Sequence, residues 1–132
     1  MSEVVGRGPE VDRAEELYRA ITLSDWWLAD PERPRPRSAA FNWPCFSVNI
    51  ASHTTQQKAV EHLHTVLKCP QGGIVSFNCG TAKDLGFDPR HEPEEGNEAH
   101  ANVYSDGRSN ERKRRAKRLA EDSCSIILEP SF

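Results

Sequence analysis

The order of strand-like and helix-like segments predicts an α/β protein, with α+β as its alternative. The expected architecture is a single compact domain in which about four strands of a mixed or parallel sheet pack with three to four helices. Three observations lead there. At 132 residues the chain has the length of one domain. Its apolar content of 36% is low for a globular protein but above that of a disordered one. Stretches of period two alternate with stretches of period 3.6, a pattern that favours helices layered on a sheet.

Residues 1–10 are short, polar and interrupted by glycine and proline, and predict a disordered N-terminus; the domain is expected over 11–132. Val11 to Ile21 predicts a helix, because Val11, Ala14, Leu17, Tyr18 and Ile21 recur at spacings of three and four. Ser24 to Trp27 ends it. Asp30 to Arg37 contains three prolines, which remove amide donors and hold the chain extended. Trp26 and Trp27 before it, with Phe41 and Trp43 after it, predict an ordered coil laid on the surface. Cys45 to Ala51 alternates Phe46, Val48 and Ile50 with smaller or polar residues, as a strand does.

Thr54 or Thr55 is placed to cap a helix running to about Lys68, with Val60, Leu63 and Leu67 as its buried stripe. Pro70, Gly72 and Gly73 stop it. Ile74 to Cys79 is the most apolar strand and the expected centre of the sheet. Thr81 caps a short helix ending at Gly86. Asp88 to Glu98 lacks apolar residues and predicts an irregular acidic loop. Ala99 to Ser105 reads as a strand, Asp106-Gly107 as a turn, Asn110 to Asp122 as a helix with a narrow apolar edge at Ala116, Leu119 and Ala120, and Ser125 to Leu128 as a last strand. The core is expected to draw on Phe46, Val48, Leu63, Ile74, Val75, Phe77, Val103, Leu119 and Ile127.

The net charge of −3 conceals an asymmetry. Residues 108–118 hold seven Lys or Arg and one Glu, a charge of +6; the other ten basic and nineteen acidic residues leave the rest of the chain at −9. A basic helix of this kind suits an acidic protein or nucleic acid, with Arg112, Lys113, Arg115 and Arg118 as the expected contacts. It has no interleaved aromatic residues of the kind that stack on single-stranded bases. No run of residues is apolar enough to cross a membrane, and the polar N-terminus does not read as a signal peptide, so a cytoplasmic location is expected. The four cysteines form no Cys-x-x-Cys pair, and neither metal nor cofactor is implied.

His100, Asn102 and Tyr104 share one face of their strand, close to His91 and the acidic loop. Imidazole beside carboxylates suits general acid–base work, so His100, Asn102, Tyr104, His91 and Arg19 are the candidate catalytic residues. His100 is expected to be reachable from solvent. His62 and His64 lie two apart on a helix and face different ways.

Leu17 to Ile21, Ser38 to Phe41, Phe46 to Asn49, Asn97 to Ala101 and Ala116 to Ala120 together resemble a family of small uncharacterised bacterial proteins, over most of the chain beyond Leu17. That resemblance implies a stand-alone bacterial protein without a stated activity. The arginine after Leu17-Tyr18 and the serine segment opening a strand are similar to the start of ADP-ribosyltransferases, which implies that Arg19 would meet NAD and that Ser47 would sit in the serine motif. The Glu-x-Glu or Gln-x-Glu setting of that family has no counterpart beyond Glu129. The leading functional expectation is a non-catalytic macromolecule-binding or accessory protein; the alternative is a small hydrolase, nuclease or ADP-ribosyltransferase-like enzyme centred on His100.

Overall fold

The segment expected to be the first helix is instead a strand at the middle of the sheet. In a computed structural model, which describes residues 6–28 and 34–132, the strands are β1 (Glu16–Ile21), β2 (Trp27–Leu28), β3 (Arg35–Pro36), β4 (Cys45–Ile50), β5 (Gly73–Asn78), β6 (Asp88–His91), β7 (His100–Tyr104) and β8 (Ser125–Leu128). The helices are α1 (Gln56–Thr65), α2 (Cys79–Leu85) and α3 (Ser109–Asp122), with short 3-10 turns at Ser24–Trp26, Ser38–Ala40 and Ala51–His53. Six strands form one sheet in the order β6-β7-β4-β1-β5-β8, every neighbouring pair antiparallel; β2 and β3 form a separate ribbon.

This overturns the expected α/β domain with a parallel or mixed sheet of about four strands. The apolar residues of the first segment fit either period. Leu17 and Ile21 lie on one side of β1, both at 0% exposure, while Tyr18 and Ala20 lie on the other. Pairing along both edges of β1 decides between the two readings, because tertiary context outweighs local propensity. With β1 inserted between them, β4 and β5 run in the same direction without touching. The α1 connection therefore joins strands that are not neighbours, and the expected parallel pair does not form. The acidic loop is also shorter than expected, since Asp88–His91 forms edge strand β6. Pro89 is tolerated there because an edge strand has one side free of the ladder.

The expected disordered tail does not extend over residues 6–10. Val11 N–H donates to Pro89 O at 3.2 Å and His91 N–H to Pro9 O at 2.8 Å, which seats this segment along β6. Residues 1–5 of that tail lie outside the described residues. So does 29–33, most of the expected proline-rich coil; its end, Arg35–Pro36, pairs with Trp27–Leu28.

Capping follows the local chemistry. Thr55 accepts from Lys58 N–H at the start of α1. Asn78, rather than Thr81, caps α2 by accepting from Thr81 N–H, and Gly86 ends that helix at φ 105°. Gly73 is required for packing: a Cβ there would collide with the Trp27 ring.

One face of the sheet carries the main core. Leu17, Phe46, Val48, Ile50, Val75, Phe77 and Val103 pack there with Phe41 and Phe87, under Ala82 of α2 and Ala116, Leu119 and Ala120 of α3. On the other face α1 contributes Ala59 and Leu63 against Ile74, with Tyr18, Ala20 and Ile127 beside them. β5 is therefore buried on both faces, although it lies one strand in from the edge and not at the centre. Ile127 is half-buried rather than central to the core.

Phe77 is 1% exposed and meets Phe41 edge-on at 6.0 Å between ring centroids. Phe77→Ala should lower unfolding stability by about 3–5 kcal/mol, measured by chemical denaturation.

Candidate functional site

Beyond α1, on the part of the second face formed by β4, β7 and β6, the residues are polar. The register places Ser47 opposite Asn102, Asn49 opposite His100 and Asp88 opposite Tyr104, all on that face. Glu92, at the end of β6, closes over them. Its Oε1 accepts from Asn102 Nδ2 at 2.8 Å and from the Tyr104 hydroxyl at 2.7 Å, and its Oε2 accepts from Gly8 N–H at 2.8 Å. Desolvation alone would raise the Glu92 carboxyl, but these donors and nearby His100 outweigh it and hold the group below its ordinary value. The bond to Glu92, aided by desolvation, pushes the Tyr104 phenol up to about 12.

His100 is 7% exposed, less than expected. Its Nδ1 lies 2.8 Å from Glu92 O, and because a carbonyl only accepts, Nδ1 carries the hydrogen. Its Nε2 faces Glu94 Oε1 at 3.2 Å. His91 Nε2 meets Glu98 O at 2.8 Å, with its ring against His53 at 4.9 Å between centroids. His91 and His100 thus each bind the acidic loop and do not converge on one point. Among the described residues no group of three or more His, Cys, Asp and Glu side chains is placed to hold a metal ion.

Arg7 completes this face. It lies 3.9 Å above the Tyr104 ring and donates to Asp88 at 2.7 Å and to Asp106 at 2.8 Å. The Asp106 carboxyl is held low, first of all by that bond from Arg7. Arg90 pairs with the other oxygen of Asp88 at 2.8 Å. Asp88 and Glu92 are both engaged locally.

The basic helix divides into two sets. Arg112 donates to Gly107 O at 2.8 Å; Arg115 donates to Ser105 Oγ at 2.7 Å and Asp106 O at 2.8 Å, and packs on Phe87. These two turn toward the loop before α3. Lys113, Arg114, Lys117 and Arg118 are exposed, as is Arg108. Among the described residues none of these five is in an ion pair.

Arg19 and His100 do share a cleft, of about 330 Å³, between the last turn of α1 and the acidic loop. Ser47, Asn49 and His62 line it with them, whereas Asn102 and Tyr104 face Glu92 instead. A groove of about 610 Å³ between α3 and the β2–β3 ribbon carries mixed charge, Arg35, Arg37 and Lys117 with Asp25 and Glu121. No described helix is long and apolar enough to cross a membrane.

Sequence reasoning singled out the strand face His100-Asn102-Tyr104 but missed Glu92 and Arg7 as the groups that organise it. Period-two alternation locates the face; no local signal in an acidic loop says which carboxylate folds back onto it. Comparison with protein-family models, with curated proteins and with solved structures finds no match to this chain.

The depressed Glu92 and Asp106 carboxyls stabilise the fold above their ordinary values of 4.5 and 3.8, and that stabilisation is lost as pH falls through their lower folded-state values. Glu92→Gln should cost on the order of 1 kcal/mol at neutral pH. In denaturation midpoints measured across a pH series, its deficit against the wild type should narrow as the pH drops below 4.5.

Proposed function

We propose that this is a non-catalytic accessory protein that binds the phosphate backbone of nucleic acid through α3. One observation carries the reading: Lys113, Arg114, Lys117 and Arg118 project into solvent with no described carboxylate paired to them, while Asp88 and Glu92 of the nearby acidic segment have partners elsewhere. Lys113–Lys117 and Arg114–Arg118 are like-charged pairs at i,i+4, each unfavourable by about 0.2–0.5 kcal/mol. An external polyanion relieves that repulsion.

Nucleic acid fits better than an acidic protein. The apolar edge of α3, Ala116, Leu119 and Ala120, is consumed by the core. Its outer surface therefore has no aromatic or aliphatic anchor of the kind that centres a protein interface. Backbone phosphates need only cations, and such contacts are independent of sequence. The catalytic alternative is less well supported, because His100 Nδ1 is tied to Glu92 O and Asn102 and Tyr104 are held by the Glu92 carboxylate.

The test is fluorescence anisotropy with a mixed-sequence DNA duplex over a salt series. Four phosphate contacts predict a slope of log K against log salt of roughly −3 to −4. The combined variant Lys113→Gln, Arg114→Gln, Lys117→Gln, Arg118→Gln should lose binding while its melting temperature stays level or rises slightly. Undiminished DNA binding by that variant would remove α3 from the interface.

A further inference from the structure

Arg19 is a cation answered only by neutral groups. It sits on the core side of β1 between Leu17 and Ile21. β1 and β4 pair only at Leu17–Ile50 and Tyr18–Asn49. Beyond Tyr18 they are unpaired, and the Arg19 side chain bridges them. Its Nη1 donates to Ser47 O of β4 at 3.1 Å, and its Nε and Nη2 donate to Ala40 O at 3.2 and 3.0 Å. The rings of Phe46 and Trp26 flank it, with centroids 5.0 and 5.6 Å from the guanidinium carbon. A guanidinium has five N–H donors, of which these bonds use three. Among the described residues no carboxylate pairs with it. Desolvation pushes the group down to about 10. A cation removed from water without a counter-charge is unfavourable, and an arriving anion would compensate it.

The 330 Å³ cleft opens over this residue. Its chemistry is divided. Trp26 and the residues just after α1, with Val66 63% and Leu67 43% exposed, give it an apolar wall. On the opposite rim the Glu94 carboxylate adds a negative charge. One desolvated cation facing a carboxylate across the mouth suits a monoanion and repels a phosphate dianion. The volume lies at the small end of the range for ligand clefts.

We infer that this cleft binds a small organic carboxylate, with the carboxylate on Arg19 and an aromatic or aliphatic body against Trp26, Val66 and Leu67. The site forms where β1 and β4 part, no residue of α3 lines it, and it is independent of nucleic-acid binding there.

Sodium benzoate is the probe, titrated into isotopically labelled full-length protein while the Arg19 Nε–H and Trp26 indole N–H signals are followed. Benzamide supplies the same shape without charge, and inorganic phosphate supplies charge without the ring. Benzoate should move both signals with saturation, and benzamide and phosphate should each bind at least about tenfold more weakly, the equivalent of one charge-assisted hydrogen bond. Arg19→Gln should abolish the response. Val66→Glu, at an exposed rim position that leaves the core untouched, should weaken benzoate at least about tenfold by placing a second negative charge at the mouth; it decides the matter even if Arg19→Gln does not fold. An unmoved Arg19 signal overturns the inference, as does benzamide or phosphate binding as tightly as benzoate, or full benzoate affinity in Val66→Glu.

Discussion

A six-stranded sheet has two faces, and the described residues supply three helices with which to cover them. α2 and α3, with the turn at Ser38–Ala40, cover the main core on one face. α1 is left for the other, and its ten residues reach only the part over β1, β5 and β8. The remaining surface of β4, β7 and β6 cannot be apolar, because nothing apolar covers it. It is built from serine, asparagine, histidine and tyrosine, and its donors need acceptors. Glu92 supplies one, and the loop that carries Glu92 is drawn down onto the sheet with it. The acidic segment is thereby withdrawn from the basic helix, which lies across the sheet. The charge separation visible in the sequence is a separation in space for that reason.

Much of this was legible in the residues. The alternation of Phe46, Val48 and Ile50, the apolar run at Ile74–Phe77, the helix signals around Thr55 and Gly86, and the narrow apolar edge at Ala116–Ala120 all lie where local chemistry puts them. The topology was not legible, and one strand accounts for the failure. Leu17, Tyr18 and Ile21 satisfy both the helical and the strand period, so pattern alone cannot decide. The decision is made by β4 and β5, which offer two open edges to the same segment. Once β1 is a strand, no neighbours in the sheet are parallel, and an architecture inferred from alternating elements no longer applies. β6 escaped notice for a related reason: its residues are polar and include a proline, and it is held by its position beside β7 rather than by its own composition.

The candidate sites show the same limit. The face shared by His100, Asn102 and Tyr104 follows from period two. That Asn102 and Tyr104 meet one carboxylate oxygen, while His100 turns toward a cleft with Arg19, depends on how a loop folds and on where two strands part. Arg19 stood out in the sequence only through a resemblance. In the structure it takes the place of ladder bonds missing between β1 and β4, and this explains a half-buried charge between the core residues Leu17 and Ile21. The role is structural first; the unused donors and the cleft above them are what remain available for binding.

The central position of β1 also has a temporal side. Leu17 pairs with Phe77, sixty residues further along the chain, and with Ile50 before that. During synthesis β1 emerges well before either partner. Its edges stay open until β4 is complete on one side and β5 on the other, and the sheet cannot close around it sooner. Pairings this distant slow folding, since the loops between them must be closed before any contact compensates the lost entropy. A nascent chain of this protein therefore carries an incompletely paired strand until Asn78 has been added, a period in which it depends on whatever protects exposed strands from one another.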